Sequence, residues 1–157
     1  MTRLGLVLAA MLGQASILAP APIAAQDVAG VTGAAEATLP DGATFNGIPL
    51  RGLTLGQGLF IAQDGSATGQ FQAVLLGTSL LGAAQNITVE GEVSGGSVGT
   101  DGSASFSGTA TVDMGDGTLP LPGVPFTVTA SAGSLGLILN AVALPTATIS
   151  AGTVTVK

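Results

Sequence analysis

From Val28 to Val156 the chain is written in short runs where apolar residues alternate with Ser, Thr, Gly or Gln. Gly, Asp-Gly or Pro breaks the pattern at intervals of about ten to fifteen residues, the spacing of strands in a sandwich or barrel. No stretch carries a helical period. A period of two sends successive side chains to opposite faces, so each run predicts a strand with one apolar and one wet side.

The runs predict a first, Ala-rich strand over Val28–Leu39, a turn at Asp41-Gly42, and a segment from Thr44 to Ile48. Leu53, Leu55, Leu59 and Ile61 mark a strand closed by Asp64-Gly65, a strong hairpin signal. Its partner, Ser66 to Leu76, sends Phe71, Ala73 and Leu75 one way and Gln70 and Gln72 the other. Ile87 to Val93 is the cleanest alternation, with Thr88, Glu90 and Glu92 on the wet face. Gly95-Gly96 and Asp101-Gly102 are expected to bracket a link into Ser103–Met114. The prolines of Leu119–Pro125 predict a loop, because proline cannot donate to a central ladder. Phe126–Ser131, Leu135–Val142 and Thr146–Val156 complete a set of roughly eight strands. Joined by tight turns, they predict a single-domain antiparallel meander in a closed or partly open β-barrel, with a two-sheet β-sandwich as the alternative.

The amino terminus changes the picture. Arg3 precedes an apolar run from Leu4 to Leu12, a second short one follows at Ile17-Leu18, and Ile23-Ala24-Ala25 supplies small residues, which together read as a signal peptide cleaved after Ala25. The mature chain, 26–157, is then a single all-β domain, secreted or periplasmic and not embedded in a membrane. A transmembrane barrel would carry aromatic girdles, and the chain has no Trp and no Tyr.

Composition excludes more than it assigns. With no Cys the exported domain has no disulfides to rely on, and with no His it lacks the usual neutral-range base. Cleavage leaves Arg51 and Lys157 against nine acids, a formal balance of −7. Nucleic-acid binding is excluded, since phosphates need several bases on one face. No catalytic triad can be built, no cofactor is expected, and zinc or copper would find no soft ligands. What chemistry remains belongs to carboxylates. Glu90 and Glu92, two apart on one strand face, are candidates for an acid/base couple or calcium oxygens, against the plainer reading of a solvated face. Asp113 and Asp116, in Asp113-Met114-Gly115-Asp116-Gly117, are the other candidate metal ligands, although Asp-Gly turn chemistry explains them without an ion. Arg51, the one internal cation of 26–157, is placed to orient a carboxylate ligand or to pair with a nearby acid. Asn86-Ile87-Thr88 fits the glycosylation acceptor pattern.

Three stretches carry a resemblance: Ala37–Phe45 with its Leu39-Pro40-Asp41-Gly42, Asp64–Phe71, and the ending Ala147–Val154. In these the chain resembles small exported bacterial β-domains of the post-COAP type. The resemblance covers most of 26–157 in outline, implies a meander-like module, and assigns no functional residue.

The leading expectation is a non-enzymatic binding or surface module whose contacts come from Leu119 to Pro125, above all Leu119 and Leu121, and from Gly95 to Gly102. Its partner is left open between a protein and an apolar small molecule. A second expectation is a calycin-like carrier of a small apolar molecule. Few large side chains fill its core, among them Phe45, Phe60, Phe71, Phe106 and Phe126, with Leu53, Leu59, Leu75, Leu80, Leu81 and Leu135 to Leu139 available to close the space. A third is a hydrolase using Glu90 and Glu92.

Overall fold

The computed structural model describes residues 28–157, all β-structure and connections, so the expected cleavage after Ala25 lies outside the described residues. The strands are β1 (Val28–Thr38), β2 (Thr44–Phe45), β3 (Ile48–Ala62), β4 (Ser66–Gly77), β5 (Ile87–Val98), β6 (Ala104–Asp113), β7 (Leu121–Ala130), β8 (Ser134–Leu139), β9 (Val142–Ala143) and β10 (Ala147–Val156). All pairings are antiparallel. Eight strands form a ring in the order β1-β10-β8-β7-β6-β5-β4-β3, and β3 returns to β1. The two-residue strands β2 and β9 hang on β3 and β8.

The ring fits a partly open barrel or a sandwich. Every seam is long except β8 with β10, where only Ala147↔Leu135 and Thr148↔Ser134 pair before the Ile149 N–H reaches the Gly133 carbonyl. Register falls by about a dozen residues in one circuit, which tilts the strands steeply. The lower half of β10 therefore runs past the end of β8.

Turn chemistry sets the hairpins. Asp64, Asp101 and Asp116 each accept two hydrogen bonds at one carboxylate oxygen from the residue two positions on. The donors are the backbone N–H at 2.9–3.0 Å and the hydroxyl at 2.6 Å of Ser66, Ser103 and Thr118. The glycine between adopts positive φ, 84° at Gly65, a conformation that excludes most side chains.

Inside, the alternation holds as expected: Leu53, Leu59, Leu75, Val89, Val128 and Leu137 are fully buried. The expected thin core is thickened at its centre by three rings from three strands. Phe71 stacks on Phe126 with centroids 5.3 Å apart, and Phe106 meets them edge-on at 5.8 and 6.4 Å. Such pairs add about 0.5–1.5 kcal/mol each beyond the area they bury. Gln57, between Leu55 and Leu59 on β3, is the only polar residue among the described ones to share this interior, and its amide nitrogen and oxygen bond to no described group.

Several expectations are corrected. Asn46-Gly47, with φ of 49° and 80°, turns the chain inside the expected 44–48 segment and starts β3 at Ile48. Gly95 and Gly96 are strand, not link: a Cβ on Gly96 would stand 2.9 Å from both Ile61 Cδ1 and the Ser105 carbonyl, so Gly96 serves close packing. Leu121–Pro125 belongs to β7. The prolines fit because β8 pairs β7 only from Phe126 onward, and on that side the stretch before it uses one carbonyl, that of Pro125, which accepts from the Asn140 N–H at 2.9 Å, and needs no proline donor. Phe60 stands on the outer face, 61% exposed, because it alternates with the inward-facing Leu59 and Ile61 of β3. Leu80 and Leu81 are not core residues, since they occupy the tip of a turn.

Candidate functional site

In an up-and-down ring alternate connections gather at the same end. Segments 39–47, 78–86, 114–120 and 140–146 cap one end, and 63–65, 99–103 and 131–133 lie at the other. The first end is bound together by side chains. Gln85 donates its amide to the Met114 carbonyl at 3.1 Å, and Asn46 approaches Met114 Sδ at 4.0 Å. The Thr78 N–H reaches the Pro49 carbonyl at 3.0 Å.

On this frame sits an apolar crown. Ser79 accepts from Gly82 N–H through its carbonyl and from Ala83 N–H through its hydroxyl, closing a turn that holds Leu80 and Leu81 at its tip, 97% and 96% exposed. Leu119 is 93% exposed on the neighbouring connection, and Leu121, at the start of β7, is 60% exposed. Isolated exposed leucines are unremarkable, but three on two adjacent connections with a fourth at the start of β7 are the kind of grouping that marks contact surfaces.

Beside Leu121 the crown dips into a cavity of about 110 Å³ walled by Phe45, Met114, Val124 and Val142, with Asn46 and Asn140 at its rim. That is smaller than the ~150 Å³ cavity that takes up a benzene ring, so the dip suits one aliphatic side chain and not a whole carried molecule. The backbone around it is strained. Asn46, Asn140 and Ala141 are the three non-glycine residues with positive φ among those described, and all three belong to turns at this end.

The acidic candidates are placed elsewhere or already engaged. Glu90 and Glu92 lie exposed on β5, as expected, in a shallow outer groove with Gln70, Gln72, Thr109 and Thr111. Register sets Glu90 between Gln72 and Thr111 and Glu92 between Gln70 and Thr109, and the Gln72 amide donates to Glu90 at 3.4 Å. Asp113 caps the Gly115 N–H at 2.9 Å, and Asp116 is occupied by both donors of Thr118. Among the described residues no three acids gather closely enough to hold a metal ion. The hydroxyl hydrogen bond of its partner, then the backbone one, holds each of Asp64, Asp101 and Asp116 below the ordinary carboxyl value of 3.8. Arg51 faces solvent on β3 and its side chain pairs with no described acid.

The sequence marked Leu119 and Leu121 and missed what joins them. Leu80 and Leu81 carried a signal, two leucines in a run bounded by Ser79 and Gly82, which is turn composition rather than strand. Asn46 before Gly47 was a turn signal as well. No family model, curated protein or solved structure matches the chain. No helix of the described residues is long and apolar enough to cross a membrane.

Proposed function

We propose that this chain is an exported, non-enzymatic binding module that grips a protein partner with the leucine crown. One observation carries the reading: Leu80, Leu81, Leu119 and Leu121 stand in water on one end of the ring, held there by hydrogen-bonded turns. Burying them on a partner returns apolar area to a dry environment at about 25 cal/mol per Å², and the dip beside Leu121 accepts one aliphatic side chain as an anchor. The acidic balance keeps the rest of the surface in solution.

The test is a photo-reactive cross-linker at position 119, applied in the host's exported fraction. A discrete adduct that disappears in Leu80→Ser/Leu81→Ser, with circular dichroism unchanged, supports the module. A protein that cross-links to nothing, or equally with and without those leucines, removes the crown from the argument.

A carrier of a small apolar molecule is the second reading, and Gln57 favours it, because an unpaired amide in an apolar interior is the sort of group that orients a ligand. Native mass spectrometry on the exported protein tests this second reading: an extra mass of a few hundred daltons supports the carrier, and a bare monomer or dimer removes it.

A further inference from the structure

We infer that the free edge of β10 is a self-association surface and that its occupant is the same edge of a second copy of this chain. Among the described residues nothing pairs with the far side of β10 from Ser150 to Val156, and the other long edge left open by the ring, Leu121–Val124 of β7, carries Pro122 and is followed by Pro125. Gly30 and Lys157 exchange both backbone hydrogen bonds, at 2.8 and 2.9 Å. Alternation along an antiparallel ladder then points the N–H and C=O of Val156, Val154 and Gly152 away from β1, toward that open side. Their side chains behave consistently, Val154 and Val156 packing on the core and Thr153 and Thr155 facing outward.

Between Thr146 and Val156 the edge lacks the charges and prolines that usually blunt one, in a mature chain that otherwise carries nine acids, and Lys157 stands only at its end. A register shift opposite Glu36 and Ala37, which leaves Ser150 unmatched, and the positive φ of Gly152, 80°, bend its upper part, while Thr153–Val156 keeps regular register with β1. The remaining stretch is complementary to itself. Antiparallel pairing about a twofold axis through Val154 sets Val154 on its own copy, Gly152 on Val156, and Thr153 on Thr155. Every outward N–H and C=O would find a partner, Thr–Thr pairs would line the outer face, and no like charges would meet within the stretch. An acidic partner strand would gain no such match, and this lack of charge is what favours a second copy over a foreign peptide.

The test follows sedimentation and amide exchange of the purified protein from micromolar to millimolar concentration. We expect a monomer–dimer equilibrium in which the Val154 and Val156 amides gain protection as the dimer forms. Val154→Pro removes a donor that the β1 ladder does not use, and Thr153→Lys/Thr155→Lys places four lysines across the twofold while leaving the core intact. Each should weaken association at least tenfold. A monomer throughout, or a dimer that both variants leave unchanged, overturns the inference. So does a dimer that dissolves on Leu80→Ser/Leu81→Ser, because the crown would then be the interface. Protection of the two amides that is independent of concentration in a monomer also overturns it, because the edge would then be covered within one chain.

Discussion

The ring of Phe126 occupies the space that a side chain on Gly91 would need: a Cβ there would lie 2.6 Å from its Cε1 and 3.0 Å from its Cζ. Phe126 cannot step aside, since Phe71 is stacked on its other surroundings and Phe106 closes the edge. Gly91→Ala is therefore expected to destabilise the fold by about 1–3 kcal/mol, the usual range for overpacking. Urea unfolding of the two proteins measures it. An unchanged midpoint would mean that the aromatic cluster is loosely held.

Gln57 should behave in the opposite sense. Its amide gave up water on folding and gained no described partner, a loss of about 1–3 kcal/mol for such a group. Gln57→Leu, of similar size, is expected to raise the unfolding midpoint, whereas Gln57→Ala should lower it by leaving a void. A leucine that destabilises would show the amide to be satisfied by water or a ligand.

Ala141 holds φ at 65° in the turn between β8 and β9, where an L side chain costs about 1–2 kcal/mol. Replacing it with glycine relieves that cost and increases the freedom of the unfolded chain, and the first effect is the larger. We expect Ala141→Gly to be stabilising by up to about 1 kcal/mol, read as a rise in thermal midpoint.

Acid should act through the three matched turns. Asp64, Asp101 and Asp116 have lower carboxyl values folded than their ordinary 3.8. Groups depressed in this way bind protons more readily when unfolded. Their stabilisation is thus complete above 3.8 and is lost as pH falls through the lowered folded values. The variant with Asn at all three positions should show a flatter stability profile below about pH 4 than the parent. Parallel profiles would mean that solvent screens these exposed turns completely.

Much of the ring was legible because strand period and Asp-Gly turns are local signals. The alternation at Phe71, Ala73 and Leu75 and at Ile87, Val89 and Gly91 needs no tertiary information to read. Errors fell where a residue's role depends on its neighbours. Gly96 looks like a linker until Ile61 is seen against it. Pro122 and Pro125 break a strand only if something must pair on both sides, and the short β8 removes that demand. Leu80 and Leu81 have core composition, and only the turn closed by Ser79 sends them outward. The crown follows from connectivity, because 78–86 and 114–120 are far apart in sequence and meet through an even number of strand reversals.

A last consequence belongs to the making of the protein. Ring neighbours follow closely along the chain except at one seam, where β1 meets β10 and Thr38 reaches Thr148 across 110 positions. Hairpins can form as the chain emerges, but the first strand waits with a bare edge until the last one arrives. Truncation by ribosome stalling before Ala147 leaves a sheet that cannot close.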